Sequence, residues 1–231
     1  MHFNYREEAY VMDNNYAKEM AHFIKEYDQF IRPYNDAIKL VKIRLEALDS
    51  DYGQLHRHNP IHQIIHRVKS LDSIIKKLAL RGYPTQIEYA KEYLTDIAGV
   101  RVITYYQQDV YEVVRALKSC LDVVKESDYI RSPKESGYRS YHMIVVVPVH
   151  YLKGIEYYPV ELQIRTLTMD CWASIEHQLH YKTLKDEFYG EISKKFQQYS
   201  EELNMISLKM EAIYAQQNTR LPMPTEFKED S

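Results

Sequence analysis

Apolar positions between residues 14 and 49 recur at helical spacing. Met20, Ile24, Tyr27 and Ile31 form one stripe, Pro33 interrupts it, and Tyr34, Ile38, Val41, Leu45 and Leu48 resume it. The pattern predicts two helices separated at the proline, and the polar stretch from Asp49 to Pro60 reads as a loop. Beyond Pro60 the period changes repeatedly. Residues 61–69 read as a short strand. Ser70 to Arg81 reads as a helix with Leu71, Ile74, Ile75 and Leu78 on one face and Gly82 as its stop. Residues 89–96 predict a short helix, Ala98 to Tyr106 a β-rich run, and 109–121 a helix carrying Val110, Val113, Val114 and Leu117. Ser140 to Val149 and Glu156 to Thr166 read as strands of a hairpin turning at Lys153-Gly154, and 167–182 returns to helix.

Strands paired in a hairpin, with others separated by helices, predict an α+β fold in which a mixed β-sheet is flanked by helices. The last helix has a different pattern. Ile192, Phe196, Tyr199, Leu203, Ile206, Met210 and Ile213 step alternately by four and three, the period of a coiled-coil seam. Such a seam either packs back on its own domain or pairs with another copy. The expected organisation is a helical extension over 1–55, a core over 56–184, an oligomerisation helix over 185–217 and a flexible tail over 218–231.

Composition narrows the function. In 231 residues, 45% apolar and 27% charged, a net charge of −3 excludes a polycation that coats nucleic acid. The two cysteines, Cys120 and Cys171, build no disulfide framework, and the N-terminus lacks a signal peptide's basic start and apolar run. No stretch approaches the roughly 18 apolar residues of a membrane span, so a cytoplasmic protein without a membrane partner is expected. Only six glycines occur, and they form neither a GxGxxG nor a GxxxxGK[ST] motif. Phosphate binding, if present, must therefore fall to lysine and arginine side chains. The 22 tyrosines have no explanation from composition alone.

Four segments carry candidate chemistry. In the strand 160–165, Val160, Leu162 and Ile164 point to one side and Glu161, Gln163 and Arg165 to the other. A carboxylate, an amide and a guanidinium on one face are costly in a core strand unless the face is a polar site; a solvated edge strand is the other reading. Asp96 precedes a strand holding Arg101, and carboxylates brought together from separate strand ends are a usual way to hold Mg²⁺ against a nucleotide phosphate. Arg67, Lys69, Ser73 and Lys77 gather at a strand-to-helix junction, an arrangement suited to an anion. The polar turn from Lys134 to His142 offers Tyr138 for stacking on a base and Arg139 for a phosphate. His56, His58, His62 and His66 cluster without a cysteine or carboxylate to complete a zinc site, and His177 and His180 share a helix. Asp49-Ser50-Asp51 has the DxD spacing of nucleotidyltransferases but no Gly-Ser lead-in.

These segments, HRVKSLDSIIKK at 66–77, TDIAGVRVI at 95–103, KESGYRSYH at 134–142 and VELQIRTLTMDCWASIEHQLHYK at 160–182, resemble the synthetase domain of the RelA/SpoT family, most closely its single-domain small alarmone synthetases. The resemblance implies a nucleotidyltransferase-like fold and transfer of the β,γ-diphosphate of ATP to the 3′-hydroxyl of GDP or GTP, giving AMP and guanosine tetra- or pentaphosphate. By matched position, it implies Arg67, Lys69, Ser73 and Lys77 at the ATP phosphates and Arg101 also on adenine. Asp96 and Glu161 match the Mg²⁺ pair, with Glu161 placed to activate the hydroxyl. Tyr138 matches the guanine-stacking ring, and Lys134, His142, Gln163 and Arg165 match groups around the acceptor nucleotide. Three positions depart from the family: His66 replaces a glycine, Leu80 with Arg81 beside it replaces an arginine, and Asp170 stands where Asn is frequent. The resemblance further implies a homotetramer through the flanking helices. The absence of a His-Asp dipeptide and the short chain point to synthesis without hydrolysis. The competing expectations are a weakly active regulatory homo-oligomer that binds nucleotide or RNA, and a nucleotidyltransferase that releases pyrophosphate. Regulation by RNA or by an alarmone is left open.

Overall fold

The computed structural model describes the backbone of residues 5–183 and 189–218 and the side chains of 26–179 and 190–217. Its elements run α1 (Tyr5–His56), β1 (Ile61–Val68), α2 (Leu71–Leu80), α3 (Ile87–Tyr93), β2 (Ala98–Thr104), α4 (Gln107–Cys120), β3 (Asp122–Asp128), β4 (Tyr141–Tyr151), β5 (Gly154–Thr166), α5 (Leu167–Thr183) and α6 (Tyr189–Asn218). The five strands form one mixed sheet in the order β1-β2-β5-β4-β3, with β2 and β5 parallel and the other neighbours antiparallel. The α+β expectation holds. The expected tail beyond residue 218 lies outside the described residues. Among those described, no helix is long and apolar enough to cross a membrane.

The sheet's two faces follow from strand alternation. Val100 pairs with Leu162, Val102 with Ile164 and Met143 with Leu162, and all five side chains are buried on one face. That face meets Tyr34, Ile38, Val41 and Leu45 of α1 and Val110, Val113 and Leu117 of α4 in a single core. The opposite face receives Arg67, Gly99, Arg101, Glu161, Gln163 and His142, which are neighbours in the same register. A shift of one residue in β5 would exchange the two sets.

Two expectations about the first 60 residues are corrected. Pro33 does not divide the chain into two helices; α1 runs through it. A proline inside a helix costs about 3 kcal/mol. Burying Tyr34, Ile38, Val41 and Leu45, each no more than 2% exposed, contributes about 1.5–3 kcal/mol per side chain and outweighs that cost. The predicted loop from Asp49 also begins too early, since α1 continues to His56 and stops where Arg57 adopts the left-handed conformation (φ 53°). Asp49 still has an anchoring task. Its Oδ1 accepts from the Ile61 amide at 2.8 Å and its Oδ2 from Asn59 Nδ2 at 3.0 Å, tying the helix to the start of β1.

The edge strand β3 was not foreseen. Its sequence, DVVKESD, is largely exposed and carries an irregularity between Val123 and Lys125, so it lacks the apolar alternation of a half-buried strand. The seam of α6 is divided. Tyr199, Ile206, Met210 and Ile213 are 46–59% exposed, while Ile192, Phe196 and Leu203 are half-buried, Phe196 against Trp172. The helix docks through that half of the seam and the positions beside it. Trp172 Nε1 donates to the Phe196 carbonyl at 2.8 Å, Ser200 and Ser207 are buried, and the Glu211 carboxylate accepts from the first amides of α4, Gln107 and Gln108.

Candidate active site

Six side chains that the sequence singled out line one cavity of about 250 Å³ on the polar face: Arg67, Lys69, Asp96, Arg101, Glu161 and Gln163. Gly99 forms part of its floor, paired with Arg67 on one side and Glu161 on the other. A Cβ there would meet the Arg67 carbonyl oxygen only at 3.8 Å. The fold would therefore accept a larger residue, and the glycine keeps volume for a ligand.

The β1–α2 junction brings the basic cluster onto Asp96. Lys69 Nζ donates to Asp96 Oδ2 at 2.7 Å, and Lys77 Nζ donates to the same oxygen from the second turn of α2. Burial pushes the Asp96 carboxyl upward, but the hydrogen bonds and charges of the two lysines outweigh it and hold the group below the usual carboxylate range. Asp96 is thus an anion at neutral pH. The two ammonium groups remain close to the cavity, ready to exchange a carboxylate for a phosphate oxygen. Ser73 stands apart: it is exposed, and its hydroxyl is paired with Ser70 at 2.9 Å.

A second cluster adjoins the first through Glu161. Tyr138 OH and His142 Nε2 are hydrogen-bonded at 2.9 Å, and His142 Nδ1 lies 3.8 Å from Glu161 Oε1. Burial, with help from Lys134 and Arg165, lowers the His142 pKa to about 4, so the ring is neutral. The neutral ring faces Glu161 in a long polar contact rather than an ion pair. Gln163 Nε2 donates to Glu161 Oε2 at 3.2 Å. The carboxylate is therefore approached by two neutral groups and by no close cation among the described residues.

Tyr138 stands in a turn that α6 supports. Gly137 has φ 91°, and a Cβ at that position would come within 2.9 Å of Ser200 Cβ and 3.0 Å of Gln197 Cα. Only glycine allows the turn and the helix to approach this closely. The Lys134 ammonium lies 5.2 Å from the Tyr138 ring centroid and 4.7 Å from that of Tyr129. Tyr129 meets His142 edge-on at 5.2 Å and completes an aromatic box that sequence reasoning missed. No signal distinguished it among 22 tyrosines, because the strand preceding it was itself unread.

Arg139, offered by the sequence for a phosphate, is not brought to the cavity: its Nη1 donates to the Ile130 carbonyl at 3.1 Å, and it borders Trp172, Ser200 and Leu203 beneath α6. Alternation along the segment entering β4 sends Tyr138 and Arg139 in opposite directions. The histidine cluster also disperses. His58 pairs with Asp109 at 2.9 Å, His62 contacts Tyr105 OH at 3.2 Å, and His66 borders the cavity. Among the described residues no three His, Cys, Asp or Glu side chains are grouped to hold a metal unaided.

Comparison with known proteins agrees with this geometry. The family model described as "Region found in RelA / SpoT proteins" matches residues 66–186. The chain is similar to GTP pyrophosphokinase YwaC of Bacillus subtilis, 42% identical over 155 residues that cover 66% of this chain and 74% of the relative. It is 38% identical to GTP pyrophosphokinase YjbM of the same organism over 160 residues, covering 68% and 74%. Among solved structures, it superposes on small alarmone synthetase 1 from Bacillus subtilis bound to its product pppGpp, with a TM-score of 0.74 and 34% identity, over 83% of this chain and 98% of that one. A GTP pyrophosphokinase family protein from Streptococcus pneumoniae gives the same TM-score at 36% identity, over 84% and 96%.

Proposed function

The chain belongs to the RelA/SpoT family, and from that premise we infer that it is a small alarmone synthetase, a GTP pyrophosphokinase that makes (p)ppGpp from ATP and GDP or GTP. The observation that carries the reading is the single polar face on which Lys69, Lys77, Asp96 and Arg101 stand across one cavity from Glu161, with the Tyr138–His142 pair adjoining.

In the reaction, the acceptor's 3′-oxygen attacks the β-phosphorus of ATP. The new O–P bond forms as the bridging bond to the α-phosphate breaks, and AMP leaves. Glu161 is assigned to take the hydroxyl proton, since no cation competes closely for its Oε1. Arg67, Lys69, Lys77 and Arg101 hold the triphosphate in line and neutralise its charge, the main protein contribution in phosphoryl chemistry. Tyr138 stacks on guanine, with Lys134, His142, Gln163 and Arg165 around the acceptor. Two carboxylates bordering one cavity, one of them held ionised, suit a hard divalent cation that takes its remaining oxygens from phosphate and water. Asp96 and Glu161 would hold Mg²⁺, which supplies charge neutralisation at the transferring group.

Incubation with ATP, GDP and Mg²⁺, followed by separation of the nucleotides, tests the reading. AMP and guanosine tetraphosphate in equal amounts are expected; no turnover, or release of free pyrophosphate, overturns it. The exposed half of the α6 seam supports assembly through this helix into a homotetramer. Ile206→Lys with Met210→Glu should lower the mass seen by light scattering, and an unchanged mass removes the seam from the interface. A cytoplasmic location is the compartment that fits nucleotide substrates and two unpaired cysteines.

A further inference from the structure

Arg101 and Arg165 rise from neighbouring parallel strands onto the polar face, where Arg101 pairs with Gln163 and Ile103 with Arg165. Arg165 is almost fully buried, and burial together with the charge of Arg101 pushes its guanidinium pKa down. Two guanidinium groups this close repel, and in a poorly solvated site that repulsion is not absorbed by water. The first turn of α5 supplies the counter-charge. Asp170 Oδ1 lies 2.9 Å from Arg165 Nη2 and 3.3 Å from Arg101 Nη1, between the two.

The alignment of these contacts matters as much as their length. Among the described residues, Asp170 Oδ1 forms no directed hydrogen bond, and neither do the buried Nε atoms of Arg101 and Arg165. The carboxylate therefore balances charge without satisfying either guanidinium fork. Unpaired buried donors are costly, and a phosphate presenting two oxygens to a fork satisfies them better than this off-line carboxylate does.

We propose that Asp170 is an internal competitor for the nucleotide phosphates, a positioning residue that keeps Arg101 and Arg165 side by side and yields them to the polyphosphate. The proposal rests on the synthetase reading above and adds a cost built into binding at both ends of the site. That cost limits affinity for the donor and the acceptor alike and eases departure of a highly charged product.

The test is calorimetric. Dissociation constants are measured for Mg²⁺ with α,β-methylene-ATP, and separately for GDP, on the full chain and on Asp170→Asn, which keeps the side chain's size and removes its charge. Asp170→Ser serves as a second variant, so that neither a new amide contact nor poor folding of one protein decides the result. Both variants should bind both nucleotides about three- to tenfold more tightly, and the gain should shrink at high salt. Steady-state KM values should fall without a matching rise in kcat. A residue with only a structural role would weaken binding when replaced. Unchanged or weaker binding of either nucleotide overturns the proposal while leaving the synthetase reading intact. A wild-type chain that binds neither nucleotide removes both.

Discussion

At one end of the polar face two lysines converge on a single carboxylate, with two arginines beside them; at the other, two tyrosines and a neutral histidine enclose the approach to Glu161. The first region is built from charge. Its lysines are balanced by Asp96, which holds them in place at the cavity and gives them a partner to exchange. The second region is built from rings. Burial keeps His142 uncharged, and the Tyr138 hydroxyl is hydrogen-bonded to that imidazole. Charge suits a ligand recognised mainly by its phosphates, and stacking suits one recognised by its base. Under the proposed function, the contrast matches ATP to the first region and the guanine nucleotide to the second.

Glu161 stands where the two regions meet, so its loss should not resemble damage to either alone. Glu161→Gln should reduce turnover by at least about 10³-fold, with both nucleotides still bound and the melting temperature nearly unchanged. Retained activity would remove Glu161 from the proton-accepting role. Asp96→Asn is the next largest effect and belongs to the charged region. Two ammonium groups lose their shared counter-charge, and kcat/KM should fall by about 10²-fold, with KM for ATP moving and KM for GDP held. The reverse pattern would break the assignment of regions.

The two regions also differed in how readable they were. Glu161, Gln163 and Arg165 announced themselves because alternation in 160–165 placed polar groups opposite an apolar core face, and the charged region's Arg67, Lys69 and Lys77 by gathering at a strand-to-helix junction. What remained hidden there was the pairing of Lys69 and Lys77 with Asp96, which depends on how the β1–α2 junction approaches the start of β2. The aromatic region was harder to read. Tyr129 follows an edge strand with no apolar period, and Arg139 looked equivalent to Tyr138 until the backbone direction separated them. Pro33 misled for a different reason, since a local breaker was outweighed by core contacts distant in sequence.

Removing the stacking ring probes the aromatic region directly. Tyr138→Ala should weaken GDP by about 1–3 kcal/mol, roughly 5- to 150-fold, and leave α,β-methylene-ATP within a factor of about two of the wild type. Titration of each nucleotide separately reads this split. A loss confined to the ATP analogue would mean that the rings serve the donor and would invert the comparison.

The smallest effect tests whether the aromatic region relies on charge at all. Lys134 is exposed, yet its ammonium lies over both Tyr129 and Tyr138. A cation over two rings holds them in a defined orientation, and at an exposed site the contact contributes about 0.5–1 kcal/mol. If Lys134 acts by fixing the rings, Lys134→Ala should weaken GDP and unphosphorylated guanosine by the same factor, about two- to fivefold. If it grips the acceptor's phosphates instead, guanosine binding should be untouched and the GDP loss should fade as salt is raised. Equal losses would keep the second region a site made of rings, with its one lysine serving them. A loss for GDP alone would extend the charged region across the whole face and leave the rings of Tyr129, Tyr138 and His142 to distinguish the two ends.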